Sequence, residues 1–256
     1  MIRAIVKAIG FFLMVAVYSL VSLGAIFILR GDKQERALMK LTSLCAKLGL
    51  FIFGIKISIK NRENLSRIPP CCLIISNHLT YLDILVICSR IPSLFITSVE
   101  VKNTFFLGFL SRMGGSIFVE RRKKTQLLRE IENVSGKIMR GTRVTLFPEG
   151  TSSNGETVLP FKSALFTSAV SAGVDVQPLC IRYLSINGKK IDRENRDYVF
   201  YYGDLKFFPH LCKLMTLKRV EVELSVLQQI DTKDLTRKEL VSGAEAVVRN
   251  CYESGV

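Results

Sequence analysis

The stretch Cys71-Cys72-Leu73-Ile74-Ile75-Ser76-Asn77-His78-Leu79-Thr80-Tyr81-Leu82-Asp83 decides how this chain is read. Its apolar start predicts a short buried strand, and the run Ile84-Leu85-Val86-Ile87-Cys88 beyond it predicts a helix interior. His78 therefore falls at a strand-to-helix turn, where α/β proteins commonly expose active groups. The chain has two histidines, and this one lies five residues before an aspartate. On one continuous helix, residues five apart would point to different faces. With His78 in the turn and Asp83 in the first helical turn, the carboxylate leans back toward the helix N-terminus and reaches the imidazole. A carboxylate so placed fixes the imidazole tautomer and stabilises the imidazolium, which suits a general base acting on a hydroxyl. The plainer alternatives are a hydrogen-bonded surface histidine and an aspartate favoured by the helix dipole.

The 256 residues are enough for one full core plus an appendage. Lys and Arg outnumber Asp and Glu by 36 to 22, a formal charge of +14, so the partners are anionic: nucleic acid, an anionic membrane surface or phosphate-bearing substrates. Residues 9–29, IGFFLMVAVYSLVSLGAIFIL, carry no charge. As a helix they span about 31 Å, close to the roughly 30 Å of a bilayer's hydrocarbon core. The run is longer than the ~7 to 15 apolar residues of a cleaved signal peptide and lacks a clear small-x-small site, so it reads as an uncleaved anchor. Arg3 and Lys7 precede it and Arg30, Lys33, Arg36, Lys40 and Lys47 follow. That bias predicts a single pass with the rest of the chain on the cytoplasmic side, as in a bacterial inner membrane. The seven cysteines form no Cys-x-x-Cys pair and read as reduced core residues, with no metal site. The phenylalanines sit in apolar runs rather than between cations, which argues against nucleic acid.

Residues 38–50 show helical apolar spacing with lysines at 40 and 47, the pattern of a helix lying on the bilayer interface or on the domain itself. Ile55, Ile57 and Ile59 alternate with Lys56, Ser58 and Lys60, a half-exposed strand, and a polar loop at 61–70 ends in Pro-Pro. Beyond the His78 turn, a helix over 82–90 and a strand over 94–97 are predicted. Residues 102–113 cluster Phe105, Phe106, Leu107, Phe109 and Leu110, a buried helix or the wall of a greasy groove. A strand over 116–119 runs into Glu120-Arg121-Arg122-Lys123-Lys124, cations that hold phosphate oxygens or simply begin a solvated helix. A helix over 125–140 and a strand over 143–147 lead into Pro148-Glu149-Gly150-Thr151-Ser152-Ser153.

Strands alternating with helices predict an α/β fold, a mixed β-sheet flanked by helices behind an N-terminal membrane helix. The predicted divisions are an anchor over 1–31, an amphipathic docking segment and first strand over 32–60, and an α/β domain over 61–256. The polar turns gather at carboxyl strand ends, so His78, Arg121 and Glu149 are expected to face one crevice. Further on, the patterns predict a helix over 160–172, a strand over 176–181 whose Pro178 implies an edge, a strand over 198–202, a last strand over 219–227 and a closing helix over 236–252.

Four spaced motifs carry a resemblance over roughly residues 70–185. Asn77-His78-Leu79-Thr80-Tyr81-Leu82-Asp83 resembles the Asn-His-x4-Asp block of the 1-acyl-glycerol-3-phosphate acyltransferase family of glycerolipid acyltransferases. Arg121 stands at the arginine of that family's second motif, in Gly115-Ser116-Ile117-Phe118-Val119-Glu120-Arg121. Phe147-Pro148-Glu149-Gly150-Thr151-Ser152-Ser153, followed by Pro160-Phe161-Lys162, is similar to the third, and Val176-Gln177-Pro178 to the fourth. The resemblance implies that His78, oriented by Asp83, deprotonates a lysolipid hydroxyl, which attacks the thioester of acyl-CoA or acyl-carrier protein. It implies that Asn77, Glu149, Gly150 and Thr151 serve the acceptor, that Arg121 and Lys162 hold its anionic head, and that no metal or bound cofactor takes part.

One departure matters: the family's third motif usually reads Glu-Gly-Thr-Arg-Ser, and Ser152 replaces the arginine. Residues 158–166, and 201–207 with His210, are similar to the branch that acylates lyso-ornithine lipid, whose head group has no phosphate. Lysophosphatidate is the first expected acceptor, lyso-ornithine lipid the second, and thioester hydrolysis a third reading.

Overall fold

The computed structural model describes residues 2–120 and 124–254. Helix α1 (Ile2–Ile28) buries Phe11, Met14, Tyr18 and Ser22, a stripe at helical spacing, and leaves its other apolar faces exposed. Among the described residues it is the one helix long and apolar enough to cross a membrane, by length and composition. Helix α2 (Gly31–Phe53) packs one face against α1 and leaves Leu44, Leu48 and Phe51 exposed. Gly54 ends it at φ +74, where a Cβ would meet the Lys218 carbonyl oxygen at 2.5 Å. Only glycine allows this close approach. Phe11, Met14, Met39, Ala46 and Phe53 belong to the same apolar core as the sheet.

The remaining elements are β1 (Ile55–Lys60), α3 (Arg62–Leu65), β2 (Leu73–Ser76), α4 (Leu82–Cys88), β3 (Leu94–Ser98), α5 (Val99–Lys102), α6 (Phe105–Met113) and β4 (Ile117–Val119). Then come α7 (Lys124–Met139), β5 (Val144–Leu146), α8 (Thr167–Ala172), β6 (Val176–Ile186), β7 (Lys189–Lys190), α9 (Phe207–Thr216), β8 (Val220–Val226) and α10 (Arg237–Glu253). Thr236 opens α10 with a reciprocal capping box to Glu239. The sheet runs β1-β8-β6-β2-β5-β3-β4, with β7 paired to β6. Its pairs are parallel except β6 with β8 and with β7, so the sheet is mixed, as predicted.

Strand β2 lies between β6 and β5, and all four of its residues are buried, which explains its continuous apolar sequence. Ile75 pairs with Leu146 of β5. The turns that follow these strands, at His78 and Glu149, therefore leave the sheet side by side.

Four expectations are corrected. Pro178 is not on an edge: β6 lies between β2 and β8. Its missing N–H falls where the β8 ladder stops, at Leu179 opposite Val226, and its carbonyl accepts from Leu227 N at 3.1 Å and Gln177 Nε2 at 2.9 Å. The helix expected over 160–172 begins late, as a 3-10 turn (Ala164–Phe166) before α8; the segment before it is tied to the neighbouring turns instead, the Leu159 and Phe161 amides donating to Glu149 and Glu245 and the Lys162 amide to the Pro148 carbonyl. Residues 198–202 form no strand: a 3-10 turn (Arg196–Tyr198) and a loop take their place, with Tyr201 N bonded to Leu79 O at 2.9 Å. Of the seven cysteines, Cys72, Cys88 and Cys180 are buried and Cys212 is exposed.

Candidate active site

The turn after β2 is held so that one imidazole edge stays free. Asp83 enters the first turn of α4 with its side chain fully buried, and its Oδ2 lies 2.9 Å from His78 Nδ1. The same oxygen accepts from the Leu79 amide at 2.7 Å and the Thr80 amide at 3.0 Å, while Oδ1 accepts from the Tyr183 hydroxyl at 2.9 Å. An acceptor-only carboxylate at Nδ1 makes that nitrogen the donor, so Nε2 carries the lone pair. The ring stacks on Phe147 with centroids 4.0 Å apart, and 19% of the His78 side chain remains exposed. An oriented base with an accessible nitrogen is the arrangement needed to take a hydroxyl proton.

The third motif braces this turn from beside it. Glu149, 2% exposed, accepts from the His78 amide at 2.6 Å and from the Leu159 amide at 2.9 Å. Burial pushes its carboxyl up to about 7, against the two amide bonds that favour the charged form. Ser153 N donates to His78 O at 3.0 Å and Lys162 N to Pro148 O at 2.8 Å. Gly150 sits at φ +75, the left-handed region that the tight turn demands.

The residues expected from sequence thus divide. His78 and Asp83 meet. Asn77 is 1% exposed, and its amide group closes on Ile181, Oδ1 accepting from its N–H at 2.8 Å and Nδ2 donating to its carbonyl at 2.9 Å. The side chains of Asn77 and Glu149 are thus both bonded to backbone around the His78 turn. Thr151 and Lys162 are exposed beside that turn. Arg121 lies outside the described residues; His78 and Glu149 are brought together, but Glu149 is buried behind the turn and does not face a crevice. Ser152, where the arginine was expected, donates its hydroxyl to the Tyr201 carbonyl.

Sequence reasoning missed Tyr183 and Phe147 as partners of the dyad. Each lies in a strand-like apolar run, where an aromatic residue reads as ordinary core. Nothing local marks Tyr183 as a donor to a residue a hundred positions earlier.

An apolar cavity of about 150 Å³ opens beside the turn, lined by α1, α2, α4, α6 and α9. Phe106, Leu107 and Leu110 lie in its wall, with Tyr81 and Phe95 at the end nearest the dyad. Phe95 stacks on Phe147 at 6.1 Å, and Phe147 in turn on His78. Part of the 105–110 cluster thus lines a groove connected to the base through the Phe95 and Phe147 rings, while Phe105 and Phe109 are exposed.

A family model described as Acyltransferase matches residues 56–182. The lyso-ornithine lipid O-acyltransferase of Rhizobium meliloti (strain 1021) is 31% identical over 202 residues, 76% of this chain and 68% of that one. The 1-acyl-sn-glycerol-3-phosphate acyltransferase of Neisseria gonorrhoeae is 30% identical over 166 residues, 65% of this chain and 63% of that one. Among solved structures, the 1-acyl-sn-glycerophosphate acyltransferase PlsC of Thermotoga maritima has the same fold, with a TM-score of 0.70 at 21% identity over 99% of this chain and 96% of that one. The histidine–aspartate turn thus lies inside the matched region, and the chain belongs to the acyltransferase family of lysophospholipid and glycerolipid O-acyltransferases.

Proposed function

We propose that this O-acyltransferase moves a fatty acyl group from acyl-CoA or acyl-carrier protein to the hydroxyl of a lyso-ornithine lipid. The observation that carries the acceptor assignment is Ser152. A guanidinium at this position would meet phosphate bidentately, whereas the serine hydroxyl is spent on the Tyr201 backbone. The similarity to relatives named lyso-ornithine lipid O-acyltransferase supports the same acceptor. Lysophosphatidate is the second reading, favoured by exposed Lys162 and by the relatives named for that acceptor.

His78 Nε2 takes the acceptor's hydroxyl proton while the oxygen adds to the thioester carbonyl. The tetrahedral adduct collapses, the C–S bond breaks, and the departing thiolate leaves with the proton that His78 had taken. Asp83 holds the imidazolium through that interval. The apolar cavity is the seat for an acyl chain. The exposed apolar faces of α1 and α2, with Phe105 and Phe208 beside them, rest on the lipid, with the dyad on the cytoplasmic side.

The test is an acceptor panel with purified full-length protein and labelled palmitoyl-CoA. The expected result is a kcat/KM for lyso-ornithine lipid at least tenfold above that for lysophosphatidate. The reverse order overturns the acceptor assignment. Free thiol released without a diacylated product overturns the transfer mechanism.

A further inference from the structure

A second concavity, of about 370 Å³, shares no lining residue with the apolar cavity. Its walls are the turn at residues 154–156, the β6–β7 hairpin, residues 191–196 and Tyr252 of α10. Four cations line it, Arg182, Lys190, Arg193 and Arg196, against the carboxylates of Glu156 and Asp192.

Those carboxylates are already engaged. One oxygen of Glu156 serves both Arg193 Nε at 3.2 Å and Arg196 Nη1 at 3.1 Å. Asp192 Oδ1 accepts from the amides of Glu194 at 2.9 Å and Asn195 at 3.0 Å. Outside the lining, Glu223 holds Arg182 at 2.5 Å, and Asp197, 4.0 Å from Arg196 Nε, accepts the Tyr202 hydroxyl. Lys190 has no carboxylate partner among the described residues, and the Nε atoms of Arg182 and Arg196 are buried without a hydrogen-bond partner. A buried guanidinium N–H left unpaired is costly, so the cleft is short of acceptor oxygens.

The cleft also touches the chemistry. Tyr183 lines it and donates to Asp83 at 2.9 Å. Asn154 and Gly155, in its rim, directly follow Ser153, whose amide binds the His78 carbonyl. Gly155 is fixed by this wall: at φ +77, a Cβ there would lie 2.4 Å from the Phe200 ring. The segment 153–155 therefore joins the cleft rim to the His78 turn. The apolar cavity reaches the turn through Tyr81 and the cationic cleft reaches the dyad through Tyr183, one suited to a chain from the bilayer and the other to an anion from water.

We propose, resting on the acyl-transfer reading above, that this cleft binds the phosphate of the acyl donor's carrier arm. Two sources share that chemistry, the nucleotide end of CoA and the phosphopantetheine arm of a carrier protein, and three donors separate them. Palmitoyl-CoA carries both phosphate types, palmitoyl-phosphopantetheine the arm phosphate alone, and palmitoyl-pantetheine none. With full-length protein and one lysolipid acceptor, Lys190→Ala/Arg193→Ala should raise the ratio of KM for palmitoyl-CoA to KM for palmitoyl-pantetheine at least fivefold. A matching rise for palmitoyl-phosphopantetheine assigns the cleft to the arm phosphate, and no rise for it assigns the cleft to the nucleotide. Equal KM changes for all three donors, or none, overturn the proposal. Equilibrium titration of the same proteins with unacylated CoA reads the cleft without turnover. Weaker binding by the double variant supports the proposal even if no acyl transfer is found, and unchanged binding overturns it. Arg193→Glu, at an exposed side chain, repeats the test with reversed charge and little risk to folding.

Discussion

His78 and His210, the chain's two histidines, each place Nδ1 about one hydrogen bond from an oxygen, yet they are set up for opposite ends. At His78 the oxygen belongs to a buried carboxylate, and the rest of the ring is partly open. At His210 it belongs to the Tyr81 phenol at 3.0 Å, the residue is 2% exposed, and Nε2 is buried without a hydrogen-bond partner. Burial pushes His210 down to about 4, so it stays neutral at physiological pH. Burial also raises the Tyr81 phenol, which keeps the pair uncharged. In the proposed mechanism an imidazole becomes a base where one nitrogen meets an anion and the ring stays partly open to a substrate. Lacking both, it fills space between aromatic rings.

The largest effect expected to sharpen this contrast is at the base itself. His78→Ala should lower acyl transfer by about 10³-fold or more in a labelled-donor assay, while His210→Gln should stay within about tenfold of wild type. Comparable losses in the two variants would break the comparison. Asp83→Asn should cost about 10²-fold or more in kcat, since an amide no longer imposes the productive tautomer. Tyr183→Phe, which leaves Asp83 Oδ1 without its phenolic donor, should lower kcat by about tenfold, a rise of about 1.4 kcal/mol in the barrier.

Glu149 gives a pH-dependent test. Its folded carboxyl is raised above its ordinary value, so the folded state holds a proton that the unfolded chain has already released between roughly pH 4.5 and 7. The associated stability is fully present below about 4.5 and is lost as pH rises through about 7. Thermal melts should therefore show wild type losing ground to Glu149→Gln across that interval, and parallel pH profiles would contradict the burial-driven shift. The smallest effect belongs to the second histidine. Tyr81→Phe should destabilise the fold by about 1 kcal/mol in chemical denaturation.

Where local pattern sufficed, the sequence was legible. The β2 strand, the α4 start and the five-residue interval from His78 to Asp83 follow from periodicity and from side-chain direction at a helix N-terminus. The alternation of Ile55, Ile57 and Ile59 likewise gave β1. Contacts between distant segments were not legible. Tyr183 reaches Asp83 only because β6 lies beside β2, and no pattern near either residue encodes that pairing. Pro178 misled for the same reason, because its missing donor falls just past the end of a neighbouring ladder. Asn77 and Glu149 were read by resemblance as groups for the acceptor. That their side chains also bond the backbone around the turn depends on contacts between distant segments, which no local pattern encodes.

The way α1 seats itself bears on how this protein can be handled. Phe11 and Met14 belong to the common core, and both line the cavity that ends beside the dyad. Lys7 Nζ also donates to the Phe53 and Leu217 carbonyls at 2.7 and 2.8 Å, tying the helix to two other segments. Trimming the first 28 residues to obtain a detergent-free enzyme would remove one side of that chamber and bare Phe53 to water. The shortened protein would be expected to clump or to lose its grip on long-chain thioesters, so purification is better attempted with the greasy leader intact.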